Sequence, residues 1–269
     1  MASLPLYVRA SAAAGALATA AFGGYIYSHV ETVPETGRRR LMLMTPQAER
    51  RLGEMSFREI LRDNRDAIVP PSDPRAKMVR AVGERIAAAS KRPDFKWDFV
   101  VIESPEPNAF CLPGGKICVY TGLFKLLRNQ DSLAAVLSHE VAHALARHSA
   151  EQLSVGNLFS LFLLFLSPEA STLASSAFAL GVNLPKSRAH ESEADAIGLE
   201  LMAKACYDPR ASPAIFADWA KMDAPKSLKY FSTHPPSAER AKDLMNQLGT
   251  PLRHFDTHCH DVRRHFQQT

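Results

Sequence analysis

The stretch LSHEVAHALARH, residues 137–148, places three histidines and one glutamate among residues that are small or apolar apart from Arg147. On a helix, His139 and His143 lie one turn apart on the same face, where both imidazoles can bind one metal ion. Glu140 lies about 100° around the helix, where its carboxylate can reach a water molecule at that ion without being a ligand. The HExxH pattern therefore predicts a zinc site in which Glu140 is the catalytic base.

The alternative is a core helix whose histidines are satisfied by other protein groups. An apolar stripe of Leu133, Leu137, Val141 and Ala144 predicts that this helix, beginning near Asp131, is held in a core. Buried imidazole nitrogens need partners, and a zinc ion supplies them. The pattern in this setting favours the metal site.

A catalytic zinc ion takes three protein ligands and keeps one position open. Ala146 and Ser149 stand where the longer metzincin pattern needs glycine and histidine. His148 is off that spacing, and we expect it on the surface beyond the site. The third ligand is therefore expected on a second helix.

Residues 187–206, SRAHESEADAIGLELMAKAC, predict that second helix. Its packing face carries Glu191, Asp195 and Gly198, and the glycine would let two helices approach closely. Glu200 and Lys204 can pair on the solvent side. The charged residues predicted to point away from the packing face are Glu193, Glu200 and Lys204.

Glu191 is predicted to be the third ligand, because a carboxylate on a packing face is costly unless it meets a cation or a metal. Asp195, one turn later, could accept the free N–H of a ligand histidine and fix its tautomer. The alternative is that both carboxylates pair with Arg188 or another base.

The surrounding chain predicts an α+β fold that is mostly α, with a small antiparallel sheet. One membrane segment (1–30) precedes a metallopeptidase domain (31–250) and a C-terminal tail (251–269). Amphipathic patterns and turn signals place the elements as follows: helices at 46–64, 73–91, 187–206, 210–222 and 236–248, a strand at 96–104 and a hairpin at 108–122.

The N-terminal run 4–27 contains no acidic residue and a single base, Arg9. Its apolar part, about 18 residues, is near the lower limit for crossing a bilayer. We favour a membrane anchor. A cleaved secretory signal ending near residues 18–20 and part of an organelle-targeting sequence are the alternatives.

The formal charge of +4 is modest, and acidic and basic residues are interleaved along the chain, so no nucleic-acid partner is expected. A second apolar run, 153–184, has one charged residue, Glu169, and is divided at residues 167–168. Each half suits a buried helix better than a span. Resting on a membrane or lining a substrate cleft is the alternative.

The cysteines form no CxxC pair, and a chain of this size does not need a disulfide scaffold. If Gly114 and Gly115 form a two-residue turn, Cys111 and Cys118 face each other across the hairpin. Two small buried side chains are the favoured interpretation, and a redox-sensitive pair is the alternative.

The segments SLAAVLSHEVAHALARHSAEQ and SRAHESEADAIGLELMAKAC resemble the membrane metallopeptidase family that includes the CAAX prenyl endopeptidase and the HtpX-type proteases. NAFCLPGGKICVYTGLF and STHPPSAERAKDL are most similar to its mitochondrial inner-membrane members, and the likeness covers 31–248. The resemblance implies a gluzincin fold and one zinc ion per chain. It also implies that His139, His143 and Glu191 are the ligands and Glu140 the base.

For His234, in THPPSAER, the resemblance implies a donor to the tetrahedral oxyanion. The alternative is a loop histidine before a helix. Residues 108–112 predict an edge strand that pairs with an extended substrate through Asn108, Ala109 and Phe110. As an alternative, Asn108 is only a turn residue that begins the strand.

These patterns predict a zinc metalloendopeptidase acting on polypeptides in or near a membrane, in protein quality control or stress response. The alternatives are an inactive zinc-binding chaperone or scaffold, and a membrane-surface adaptor. The likeness places the chain in the mitochondrial inner membrane with its peptidase domain in the intermembrane space. A bacterial inner membrane or periplasm is the alternative, and a homo-oligomer stays an open option.

Overall fold

The structure, a computed structural model, describes residues 6–166, 187–222, 230, 234 and 238–266. It is a mostly helical α+β fold. The helices are α1 Leu6–Ser28, α2 Pro46–Asp63, α3 Pro74–Ser90, α4 Gln130–Leu145, α5 His148–Leu166, α6 Arg188–Lys204, α7 Ala211–Lys221, α8 Ala238–Gln247, α9 Gly249–His258 and α10 His260–Phe266. The strands are β1 Val30–Thr32, β2 Arg39–Leu41, β3 Asp98–Ile102, β4 Ala109–Leu112 and β5 Lys116–Tyr120.

Side-chain caps and prolines explain where α2 and α3 begin. The Thr45 hydroxyl accepts a hydrogen bond from the Ala48 amide, and the Asp73 carboxylate accepts one from the Arg75 amide. A proline follows each cap, in the first turn, where a missing N–H costs nothing. The left-handed backbone of Lys91 ends α3. The helices predicted at 46–64 and 73–91 are thus confirmed.

The three-stranded sheet has the order β3-β5-β4 and is mixed, so the prediction of a purely antiparallel sheet is wrong. β4 and β5 form the predicted antiparallel hairpin, whereas β3 runs parallel to β5. The chain passes from β3 to the opposite edge of the sheet to form β4, and the Gly122 amide, after β5, donates a hydrogen bond to the Ser104 carbonyl, after β3. This crossing places the most buried strand, β5, in the middle and leaves β4 at an edge.

The hairpin register separates Cys111 and Cys118, which a two-residue turn would have placed opposite each other. Cys111 pairs with Ile117, and Cys118 pairs with Phe110. The turn contains three residues, 113–115, and this third residue shifts the register by one position. Both cysteines are free thiols. The condition for a facing pair, a two-residue turn, is therefore not met, and the favoured interpretation as ordinary small side chains fits the structure.

The helix α4 lies at the centre of the core and is buried along nearly its whole length. It packs against α3, β4, α6 and α7, and its tightest neighbour is α6. At the crossing, a Cβ atom added to Gly198 would lie 3.3 Å from the His139 amide nitrogen. The prediction that Gly198 allows close helix approach is therefore confirmed.

We expect Gly198→Val to destabilise the fold by about 1–3 kcal/mol. The valine side chain adds a Cβ atom and two methyl groups where α6 crosses α4, and the crossing is already fully packed. Chemical denaturation would measure the loss. Gly156→Val in α5 is the control, since none of the described atoms lies within 4 Å of that position. Valine has a higher helix propensity than glycine, so propensity predicts no loss in either variant. Equal losses in both would therefore mean that the packed crossing at Gly198 is not the cause.

The C-terminal segment packs on the body of the protein. A disulfide joins Cys206, after α6, to Cys259, after α9, and Phe255 packs beside it. Arg263 also forms a 2.7 Å ion pair with Asp131 at the start of α4. The expectation that no disulfide was needed missed this bond, which closes a 53-residue separation and stabilises the fold by about 4 kcal/mol in the chain-entropy model.

The N-terminal segment forms α1, followed by a two-stranded antiparallel ribbon of β1 and β2. Among the described helices, none combines the length and apolar content that crossing a membrane requires. The first half of the apolar run 153–184 lies in α5. Its second half, including the expected break at 167–168, lies outside the described residues.

Candidate metal centre

Three of the predicted ligands converge where α4 crosses α6. The Nε2 atoms of His139 and His143 are 3.1 Å apart. The Glu191 carboxylate lies 3.4 Å from the His139 Nε2 atom and 3.2 Å from the His143 Nε2 atom. All three side chains are buried. The close approach at Gly198 positions the carboxylate over the two imidazoles.

His234 lies at the same point. Its Nδ1 atom is 3.0 Å from Glu191 and 3.1 Å from the His139 Nε2 atom, so the alternative, a loop histidine with no part in the site, does not fit the structure. One donor atom from each of four residues, His139, His143, Glu191 and His234, lies within 4.8 Å of the others. Three imidazoles and one carboxylate match the nitrogen and oxygen donors of a catalytic zinc site. The residues present therefore fit a metal ion.

Arg240 is a charged member of the centre that sequence reasoning missed. It donates to Asp195 through Nη2 at 2.7 Å and lies 3.1 Å from Glu191. The proposed pairing of these carboxylates with a base is therefore present, with Arg240 as the base. Glu191 makes this contact with Arg240 in addition to its contacts with the imidazoles of His139 and His143. The only sequence signal for Arg240 is its place in the motif THPPSAER.

Glu191 is held as an anion. Burial by itself would raise its pKa, but the nearby imidazoles of His139 and His234 outweigh burial and hold that pKa well below its usual range. An ionised carboxylate is the form that binds a metal.

Glu140 lies on the side of α4 facing His234. Its carboxylate is buried, with Oε1 3.4 Å from the His234 Nε2 atom. The Nδ1 atom of His234 faces the metal donors, whereas its Nε2 atom faces Glu140. A predicted base and a predicted oxyanion donor thus lie side by side at the edge of the donor cluster.

His139 is oriented by the carboxylate that the sequence suggested. Its Nδ1 atom lies 2.9 Å from the Asp195 Oδ1 atom, while its Nε2 atom faces the donor cluster. Such a contact fixes the tautomer in which Nε2 offers a lone pair. The geometry is what the prediction for Asp195 requires.

His148 is not on the surface, so that prediction is wrong. It is fully buried, and its Nδ1 atom lies 2.6 Å from the His143 Nδ1 atom. The cause is the left-handed backbone of Arg147, with φ 53°, which ends the helical path of α4 just before α5 begins at His148. A positive φ at an arginine has no sequence signal.

Glu193 points away from the metal, as expected, but it is buried rather than solvated. It lies 2.9 Å from the His148 Nε2 atom and 2.8 Å from the Arg38 guanidinium. Arg38 also pairs with Glu151 at 2.6 Å, and Glu151 lies 3.2 Å from His190. A buried network of charged groups and imidazoles thus surrounds the outer side of His143.

This network predicts acid sensitivity through Glu151. Burial by itself would raise its pKa, but the hydrogen bonds from Arg38 and His190 lower it to about 2, against about 4.3 in an unfolded chain. A lowered carboxyl pKa contributes stability above the unfolded value and loses it as pH falls toward the folded one. We therefore expect the contribution of Glu151, about 1–3 kcal/mol, to disappear between about pH 4.5 and pH 2.

Urea unfolding across that pH range, with a chelator present, would measure this loss. Glu151→Gln should flatten the pH dependence. Glu200→Gln, which alters an exposed pair with Lys204, should not. A Glu151→Gln protein with an unchanged pH slope would contradict the assignment.

The predicted substrate strand lies beside α4. Ala109 and Phe110 belong to β4, which packs against α4 and is an edge of the sheet, as expected. Asn108 is buried, and its carbonyl accepts a hydrogen bond from the Tyr120 amide. Their role in binding a substrate stays a prediction.

An HExxH helix whose histidines meet a glutamate from a second helix is the arrangement of a gluzincin-type metallopeptidase. The family model "Peptidase family M48" matches residues 73–248, which include both of these helices. The chain belongs to peptidase family M48.

Curated relatives agree with this assignment. The chain is 40% identical over 235 residues to "Mitochondrial metalloendopeptidase OMA1" of Schizosaccharomyces pombe, covering 84% of this chain and 68% of that protein. It is 31% identical to "Metalloendopeptidase OMA1, mitochondrial" of Homo sapiens, covering 82% of this chain and 46% of that protein. It is 26% identical to "Beta-barrel assembly-enhancing protease" of Escherichia coli, covering 81% and 47%. The predicted resemblance is confirmed.

Proposed function

We propose that this M48 metalloendopeptidase uses one zinc ion, held by His139, His143 and Glu191, to hydrolyse peptide bonds. One observation carries the proposal: buried donor atoms from two helices and a loop converge within 4.8 Å, with the Glu140 carboxylate beside them. Three ligands from this set leave one position for the reacting groups.

A bound zinc ion would polarise the scissile carbonyl and lower the pKa of the attacking water. Glu140 accepts a proton from that water on its carboxylate and later delivers it to the leaving amine nitrogen. His234 donates a hydrogen bond from Nε2 to the developing oxyanion. Asp195, itself held by Arg240, keeps the His139 ring oriented.

His234 has a second role within reach, since its Nδ1 atom also belongs to the donor set. A fourth protein ligand would fill the position that the reaction needs. We propose that His234 serves as the oxyanion donor, because its Nε2 atom faces Glu140. His234→Ala should then keep zinc while turnover falls.

The substrates are proposed to be polypeptides that bind in extended form. The strand β4 is an edge of the sheet next to α4 and could pair with a substrate there, with Ala109 and Phe110 in the strand and Asn108 just before it. We infer a role in protein quality control at a membrane. The relatives named as mitochondrial metalloendopeptidases support a mitochondrial location, and an inner-membrane site facing the intermembrane space is the finer proposal.

The membrane part of this proposal concerns α1. The helix contains one base, Arg9, and no acidic residue, and Leu17, Phe22 and Tyr27 are exposed on it. Exposed apolar side chains around a helix favour contact with lipid. Retention of the full chain in the membrane after alkaline carbonate extraction would support an anchor, and its release would contradict one.

Zinc content and proteolysis of the full chain test the chemistry. We expect about one zinc ion per chain and cleavage of unfolded casein that a chelator abolishes and zinc restores. A folded protein that binds zinc but cleaves neither casein nor other unfolded chains would favour the scaffold alternative. A folded protein without zinc would overturn the proposal.

A further inference from the structure

The two ligand histidines are oriented in different ways. Both direct Nε2 toward the donor cluster and Nδ1 away from it. The His139 Nδ1 atom meets the Asp195 carboxylate at 2.9 Å. The His143 Nδ1 atom meets another imidazole nitrogen, His148 Nδ1, at 2.6 Å. The orientation of His143 therefore depends on what holds His148.

The positions of the protons between His143 and His148 follow from the chemistry of imidazole. A neutral His143 that offers the Nε2 lone pair to a metal carries its proton on Nδ1. It must then donate to His148, whose Nδ1 atom accepts and whose proton lies on Nε2. That Nε2 atom is 2.9 Å from Glu193 Oε2, which accepts. Two imidazoles in series thus connect the donor cluster to a carboxylate.

The far end of the series lies in the N-terminal ribbon, residues 30–41. Arg38 donates to Glu193 through Nε at 3.0 Å and through Nη2 at 2.8 Å. The Thr36 hydroxyl also donates to Glu193. Both residues lie outside the range 73–248 that the family model matches.

We propose that the N-terminal ribbon is a positioning element of the metal centre: Arg38, acting through Glu193 and His148, holds His143 in its ligating tautomer and orientation. This inference rests on the proposed zinc site. It makes Arg38 the counterpart of Arg240, which holds Asp195 and through it His139.

Burial and ring packing support a positioning role. His148 is fully buried, and the His190 ring stacks on it at 4.3 Å, which limits rotation of the His148 ring. Burying the charged groups of Arg38, Glu193 and Glu151 costs desolvation free energy that apolar side chains would not cost. Stability of the fold by itself is therefore a weak explanation for this network. Partners behind a ligand histidine raise its basicity and fix its ring, and losing one typically costs about 10- to 100-fold in metal affinity.

Zinc dissociation constants of the full chain, measured by chelator competition, test the proposal. We expect His148→Leu to weaken zinc binding about 10- to 100-fold. His148→Asn should lose less, about 3- to 10-fold as in Arg38→Met, because the Asn oxygen can accept at the position of Nδ1 but no longer reaches Glu193. If His148 only filled space, zinc affinity would not depend on whether the new side chain can accept a hydrogen bond from His143.

A matched pair of variants tests the role of the N-terminal ribbon. Arg38→Met should weaken zinc binding about 3- to 10-fold, whereas Arg39→Met, at the exposed neighbouring position, should not. Glu193→Gln should resemble Arg38→Met, and Glu200→Gln on the same helix should resemble wild type. The visible absorption spectrum of the Co²⁺ form should change in Arg38→Met and stay unchanged in Arg39→Met.

Wild-type affinity in a folded His148→Leu protein would overturn the inference. So would equal effects of Arg38→Met and Arg39→Met. The comparison of Arg38→Met with Arg39→Met decides the question even where His148→Leu does not fold. Arg38 has 27% of its side chain exposed, so we expect Arg38→Met to fold. A wild-type chain without tight zinc binding would overturn the proposed function instead.

Discussion

Glu140→Gln is expected to keep the zinc content of the wild-type chain and to lose turnover by a factor of about 10²–10⁴. Glutamine has nearly the same shape as glutamate but cannot accept a proton from water. Glu140 is not among the four donors, so the metal ligands should be undisturbed. The loss should appear in kcat, because the interaction with the transferred proton is made in the transition state.

Zinc analysis and cleavage of unfolded casein on the same preparation would measure both quantities. Glu200→Gln is the matched control, since it makes the same chemical change on the exposed side of α6 and should leave turnover unchanged. Cleavage by Glu140→Gln at the wild-type rate would show that Glu140 is not the base. Loss of zinc in that variant would show that Glu140 contributes to metal binding.

The parts of the centre that the sequence predicts are those set by helix periodicity. The spacing of His139 and His143 defines one face of α4, and the spacing of Glu191, Asp195 and Gly198 defines one face of α6. Because an apolar stripe decides which face enters the core, both sets of polar groups must meet there. Local cap and proline signals likewise locate helices such as α2 and α3.

The parts that the sequence does not predict depend on contacts between distant segments. His148 reaches His143 only because Arg147 adopts a left-handed backbone that an arginine rarely takes. Arg38 and Arg240 lie far along the chain from the carboxylates they hold. No periodic pattern relates them, and a charged residue in a short motif usually indicates a solvated surface.

The sheet also has features that the sequence does not predict, for the same reason. Hairpin signals located β4 and β5 correctly, yet a three-residue turn rather than a two-residue one changed every facing pair. The parallel pairing of β3 with β5 arises from how the connecting chain crosses, which composition does not encode. The disulfide between Cys206 and Cys259 likewise depends on where α9 packs.

Glu191→Ala is expected to reduce zinc affinity by about 100-fold or more, because it removes the one anionic donor that α6 contributes. Asp195 is not itself a donor but orients His139 and holds Arg240, so Asp195→Asn should cost about 10- to 100-fold. Glu200→Gln should cost nothing. Chelator competition would therefore rank the three changes by their distance from the metal.

A second variant separates loss of the ligand from loss of packing. Glu191→Gln fills the same space and can still accept a hydrogen bond from Arg240, so its fold should stay closer to wild type than that of Glu191→Ala. An amide is a poor zinc ligand, and its zinc affinity should fall nearly as far. If Glu191→Gln keeps wild-type zinc affinity, His139, His143 and His234 hold the metal without the carboxylate, and the two-helix site is wrong.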